Sequence, residues 1–289
     1  MIDEISAAQR FKISPSAGIG YVSLNVSDMQ RSLDFYQNVL GFESLGKPSD
    51  ARAVLSADGS RPLVELLQTT NAGNGSRRAG LYHFAILLPA RKYLADMLQN
   101  LREKRDQVHF DGLADHLVSE AIYIRDPDFN GVEIYRDRPR SEWKWNGDMI
   151  GMATLRLDTE GLLKETTASG WQSMPAKSVI GHVHLHVRNL AKAMKFYRDV
   201  LGLDFTATYP SAYFFSAGGY HHHVAVNTWL RTAIPPASPD KIGLNHFGIE
   251  LPSVEELEKT YKQISGNEAH GSKAFLLDPD GIRIKLYSS

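Results

Sequence analysis

The sequence predicts an α+β fold built from four βαβββ modules, and two internal repeats carry the prediction. "IGYVSLNVSDMQRSLDFYQNVLGFE" from Ile19 recurs as "IGHVHLHVRNLAKAMKFYRDVLGLD" from Ile180. "GLYHFAILLPARKYLADML" from Gly80 recurs as "GLNHFGIELPSVEELEKTY" from Gly243, and "YIRDPDFNGVEIYRD" from Tyr123 as "FLLDPDGIRIKLYS" from Phe275. Each copy reads as a strand, a helix and further strands, in the order first kind, second kind, first kind, second kind.

The first module, residues 18–70, opens on an alternating strand. Met29, Leu33, Tyr36 and Leu40 then form one apolar helical stripe, which Gly41 stops. "ARAVLSADGSRPLVELLQ" supplies strands turning at Asp58-Gly59. The second module, 80–137, ends on "YIRDPDFNGVEIYRD", where Asp126-Pro127-Asp128 reads as a turn before the last strand. Residues 138–178 connect the halves and are too aromatic for a flexible linker, with Trp143 and Trp145, so they pack across the surface. The third module, 180–229, repeats the stripe as Leu190, Met194, Tyr197 and Leu201, stops at Gly202 and turns at Gly218-Gly219. The fourth covers 243–289. The chain thus divides into residues 1–137 and 179–289, each a pair of modules.

Composition narrows the chemistry. A net charge of −1 offers no general attraction to nucleic acid or an anionic membrane. The absence of cysteine excludes disulfides, thiolate zinc, iron–sulfur clusters and a thiol nucleophile, leaving His, Asp and Glu as metal ligands. No signal pattern and no apolar run of membrane-spanning length occurs, so a cytoplasmic bacterial protein is expected.

In "IGHVHLHV", His182, His184 and His186 alternate with aliphatics, which puts three imidazoles on one strand face. Two meanings are open: a polar, water-lined face, or a metal site that takes further ligands from elsewhere.

"HVHLHVRNLAKAMKFYRDVLG", "DPDFNGVEIYRDRP" and the four-module plan resemble the vicinal oxygen chelate (glyoxalase/bleomycin resistance/dioxygenase) superfamily. Within it they resemble the two-domain type I extradiol dioxygenases of the bacterial catechol 2,3-dioxygenase kind, over roughly residues 18 to 289. The resemblance implies two cup-shaped barrel domains, each formed by two modules. It also implies one metal held by a His from the first strand of one module and by a first-strand His and a last-strand Glu of the other. The first-strand positions hold Tyr21, His83, His182 and His246; the last-strand positions hold Glu133 and Lys285. Pairing modules in chain order leaves both sets incomplete. Pairing the two central modules gives His83, Glu133 and His182, and leaves Tyr21, His246 and Lys285, whose ammonium repels a cation. A rival set is His182, His246 and Glu250.

The family's acid–base residues map, by the same resemblance, onto His222 in "HHVAV" and onto Tyr123, ten residues before Glu133; His116 is an approximate counterpart, displaced by two. Taken singly, Tyr123 also reads as a core tyrosine, and His221–His223 as a solvated hairpin. The implied activity is ring cleavage of a small catecholic aromatic with O2 at Fe(II), or Mn(II), against apolar walls for which Phe214, Trp229 and Trp143/Trp145 are candidates. Two alternatives share the cup: a glyoxalase-like lyase or isomerase using Zn(II) or Ni(II), and a metal-free aromatic-binding protein. Nucleic-acid and membrane partners are not expected; a homo-oligomer is compatible.

Overall fold

The computed structural model describes residues 10–70, 77–265 and 275–288, and the βαβββ pattern recurs along it. The first module runs β1 (Gly18–Val26), α1 (Met29–Leu33), β2 (Glu43–Ser44), β3 (Arg52–Ser56) and β4 (Val64–Gln68). The second runs β5 (Gly80–Leu87), α2 (Arg91–Glu103), β6 (His109–Asp115), β7 (Ser119–Arg125) and β8 (Gly131–Asp137). The connecting segment carries the short strands β9 (Trp145–Asn146) and β10 (Met149–Ile150) and the turn-and-a-half helix α3 (Thr159–Leu163). The third module runs β11 (Val179–His186), α4 (Leu190–Met194), β12 (Asp204–Tyr209), β13 (Ala212–Ser216) and β14 (Val224–Asn227). The fourth holds β15 (Gly243–Leu251), α5 (Val254–Ser265), β16 (Leu276–Leu277) and β17 (Arg283–Ser288) among the described residues.

The sheets combine modules that are not consecutive in the chain. One has the order β16-β17-β15-β1-β4-β3-β2 and joins the fourth module to the first; the other, β12-β13-β14-β11-β5-β8-β7-β6, joins the third to the second. Each pair meets at antiparallel first strands, β1 on β15 and β11 on β5. Val183 and Leu185 on one face of β11, and Val187 just beyond it, are buried in the core, while His182 and His184 on the other face are also buried.

The two striped helices depart from a pure α-helix. Asp28 and Asn189 cap them by accepting from the N–H of Arg31 and Lys192. Each then widens into a π-helical turn, Asp34–Val39 and Lys195–Val200, so that Phe35 with Tyr36, and Phe196 with Tyr197, are all buried. Gly41 and Gly202 end both at φ +81°, a left-handed conformation that glycine adopts without strain. The predicted tight hairpin turns are instead longer loops between β3 and β4 and between β13 and β14, and Asp58 orders the first by accepting from Ser60 and Arg61 N–H.

The Asp-Pro-Asp motifs do more than turn the chain: they clamp the two sheets together. Asp126 accepts from the Tyr36 hydroxyl at 3.0 Å, and Asp128 from Ser27 and Arg31, all in the first module. Asp278 accepts from Tyr197 at 3.0 Å, and Asp280 from Arg188, in the third. Burial outweighs the hydrogen bonds from Asn130 and Ile282 and pushes Asp126 up to about 6 and Asp278 up to about 7, from an ordinary 3.8. Both folded values exceed the unfolded one, so the stability these groups contribute is complete below the unfolded pKa and declines as pH rises through the folded values. Asp278→Asn abolishes that titration. Its stability relative to the parent protein, measured by urea unfolding, is therefore expected to be higher at about pH 8 than at about pH 5; no change between the two would mean that Asp278 is already ionised in the fold. No helix among the described residues is long and apolar enough to cross a membrane.

Candidate metal centre

The sheet register brings three donors together. Glu133 on β8 and His182 on β11 both pair with Ala85 on the intervening β5. With only a methyl group at Ala85, the two longer side chains meet above it. His83, two residues back on β5, shares that face. Its neighbour across β8 is Gly131, where a Cβ would overlap the Tyr82 carbonyl oxygen. His83 Nε2 lies 3.0 Å, and His182 Nε2 3.1 Å, from Glu133 Oε2. The three ligand atoms are within 4.8 Å of one another and all three residues are buried.

These residues fit a divalent ion. Bonds of ~2.1 Å at right angles set ligand atoms ~3.0 Å apart, which is the spacing of each imidazole nitrogen from Glu133 Oε2. Burial lowers both histidines against the opposing pull of Glu133. The two imidazoles in turn hold Glu133 well below the usual carboxylate range despite its burial. At neutral pH the cluster is therefore one anion and two neutral rings, the protonation state a cation needs. Nδ1 of His182 is buried with no partner among the described residues, and Nε2, facing Glu133, is the nitrogen through which this ring acts.

The centre opens on a cavity of about 370 Å³ whose walls include Tyr123, His116, His222, Phe214 and Trp229. Tyr123 lies opposite Glu133 in the β7–β8 register. Its hydroxyl is 2.7 Å from His116 Nε2, and His116 Nδ1 is 2.7 Å from the Ala153 carbonyl. A carbonyl only accepts, so Nδ1 carries a proton; with a neutral ring Nε2 is then an acceptor for the Tyr123 hydroxyl, to which the Glu133 carboxylate is a second acceptor. The His221–His223 run is not a solvated hairpin: His221 and His222 are buried, and the His222 ring sits 4.1 Å from that of His182. His222 Nδ1 is 2.7 Å from His221 Nδ1, and His221 Nε2 is 3.0 Å from Asp137 Oδ1. With neutral rings, His221 donates to Asp137 and accepts from His222, which leaves His222 Nε2 as a free lone pair. Burial, reinforced by the surrounding histidines, holds His222 well below its ordinary pKa.

The remaining histidines of β11 are tied together by Asn227, and His184 also lines the cavity. Asn227 donates to His184 Nε2 at 2.9 Å and accepts from His186 Nδ1 at 2.7 Å. Of the expected aromatic walls, Phe214 and Trp229 line the cavity. Trp143 instead packs on Tyr220 and His221, and Trp145 is 41% exposed. The connecting segment contributes Met152, Ala153 and Thr154. The set His182, His246 and Glu250 is not brought together, because β15 belongs to the other sheet and Glu250 pairs with Arg61. In the outer modules Tyr21 donates to His246 at 2.9 Å. His270 lies outside the described residues. Nothing in the sequence pattern singles out Asp137 or Asn227, although Asp137 stands four residues after Glu133 on the same strand face, and it offers His221 only as a hairpin residue.

The family described as Glyoxalase/Bleomycin resistance protein/Dioxygenase superfamily matches residues 18–134 and 179–286. The chain is 46% identical over 246 residues to a catechol-2,3-dioxygenase from Bacillus subtilis (strain 168), covering 83% of this chain and 85% of that protein. A solved structure from Bacillus subtilis subsp. subtilis str. 168 shares the fold over 96% of this chain and 86% of its own, with TM-score 0.63 and 14% identity. Glyoxalase I from Zea mays shares it over 94% and 92%, with TM-score 0.51 and 15% identity.

Proposed function

The chain belongs to the Glyoxalase/Bleomycin resistance protein/Dioxygenase superfamily, and from that premise we propose that it is an extradiol dioxygenase that opens catecholic rings with O2 at a single metal held by His83, Glu133 and His182. The observation that carries this reading is the convergence of two buried imidazoles and one carboxylate in a cavity lined by further titratable groups. The kinship with a catechol-2,3-dioxygenase points the same way. Two histidines and one carboxylate with open positions suit Fe(II), our proposed ion, with Mn(II) the second choice. When bound, the metal would supply Lewis acidity that favours the deprotonated diol and a template that gathers substrate and O2.

The protein's own groups position the ring and move protons. Leu113, Phe214 and Trp229 offer apolar and aromatic walls for a flat substrate. His222 Nε2 is the proposed base for one substrate hydroxyl. With the Tyr123 proton directed to a neutral His116, the Tyr123 oxygen can accept a hydrogen bond from the substrate. A proton arriving there moves Tyr123's proton on to His116 Nε2. Overall, the ring C–C bond beside the diol breaks and both atoms of O2 enter an open-chain product bearing a carboxylate and a carbonyl.

The test is anaerobic loading with Fe(II), followed by catechol and air. A yellow ring-fission product and its loss on chelation are expected. Bound metal without product would favour the lyase, and no metal uptake would favour a binding protein.

A further inference from the structure

A second cavity of about 450 Å³ lies between the two sheets, where the starts of β5 and β15 come together. It shares Tyr82, Arg125 and Trp229 with the cavity of the metal centre, so the two adjoin. Among the described residues its walls carry four arginines, Arg77, Arg78, Arg125 and Arg283, and no aspartate or glutamate. Arg125 is neutralised by Asp111 at 2.8 Å. The other three have no carboxylate partner among the described residues. Arg283 lies over the Phe275 ring, and Arg78 reaches only the Pro236 carbonyl, at 3.3 Å. Nε of Arg78 is buried with no acceptor among the described residues, a donor whose desolvation an arriving anion would compensate. A cleft lined by one sign of charge concentrates its field on whatever enters, and guanidinium forks match carboxylate oxygens in pairs.

We propose that this cleft is a carboxylate subsite opening from the metal cavity past Tyr82 and Trp229. Two carboxylates have the required chemistry: an acidic side chain on the ring substrate, and the acid group that ring opening creates. The inference rests on the dioxygenase reading for the identity of the ligand, but not for the affinity of the cleft for carboxylate.

Two measurements separate the possibilities, using wild type and the double variant Arg78→Gln/Arg283→Gln, neither residue being part of the metal centre. Calorimetric titration of the metal-free proteins with sodium phenylacetate reads the cleft directly: saturable binding is expected in wild type, weakened at least tenfold in the variant. Turnover of the Fe(II)-loaded proteins is compared for catechols whose carboxylate stands on arms of increasing length, each against its carboxamide. A preference for the acid at one arm length, about tenfold or more in kcat/KM and lost in the variant, identifies the substrate side chain as the occupant. Inhibition of catechol turnover by the ring-opened product, relieved in the variant, identifies the product. Activity on catechol itself is expected to stay within about twofold in the variant. Equal phenylacetate binding by both proteins, or none by either, overturns the subsite whether or not catechol is cleaved. Phenylacetate binding in a protein that opens no catechol would leave the subsite standing and remove the dioxygenase reading.

Discussion

Glu133→Ala is expected to yield a protein that holds no metal and opens no catechol. Glu133 is the anion of the cluster, and its Oε2 is the atom on which both imidazoles converge. Two neutral histidines alone hold a divalent ion far more weakly than the full set. Turnover should fall by more than about a thousandfold, with metal content after anaerobic loading dropping in parallel. The alanine also leaves His83 and His182 facing a buried void, at a cost of about 1–3 kcal/mol for each unsatisfied nitrogen. Glu133→Gln separates the two effects, since it keeps shape and an acceptor but lacks the charge, and should fold normally and still bind no metal. The pH dependence follows from the same pairing. The folded carboxyl titrates below its unfolded value, so its stabilisation is present above that value and lost as pH falls through the folded pKa. The glutamine variant should therefore lose less stability than the parent on acidification. Normal metal content in Glu133→Gln would show that the ion sits elsewhere.

The parts of this centre that were legible in the sequence are those fixed by strand periodicity and by module equivalence. His83, His182 and Glu133 stand at matching places in repeated modules, and Lys285 excluded the alternative by charge alone. The way Glu133 and His182 meet was not legible, because it depends on Ala85 being small in a strand between them and on the register of three strands. His221 looked equally like a hairpin histidine. Only the contact of the loop before β14 with the end of β8 sets it against Asp137. Asp126-Pro127-Asp128 is legible as a turn, but a turn motif does not reveal its partners, and Tyr36 and Tyr197 lie in modules of the sheets opposite Asp126 and Asp278. The π-helical turns likewise hide within stripes that look like ordinary α-helix, since a single extra residue per turn keeps the same apolar side facing inward.

His222→Gln is expected to retain the metal and lose turnover by about a hundredfold to ten-thousandfold, the range associated with a positioned proton acceptor. The companion variant Asp137→Asn tests why. Asp137 accepts from His221 and also from Tyr220 at 3.2 Å, itself in hydrogen-bond contact with Tyr135 at 2.8 Å. That chain orients His221 so that its Nδ1 accepts from His222, which holds the free lone pair of His222 on Nε2. An asparagine can turn its amide N–H toward His221, reversing both tautomers and moving the lone pair of His222 away from Nε2. Asp137 and His221 touch no reacting atom, so the expected signature is a fall in kcat of roughly tenfold to a hundredfold, with metal content and the KM for catechol unchanged. Nitrogen NMR of the metal-free protein reads the tautomer independently: His222 protonated on Nδ1 in the parent, and on Nε2 or mixed in Asp137→Asn. A kcat loss without a change of tautomer would assign Asp137 to packing, and loss of metal in either variant would move His222 into the ligand set.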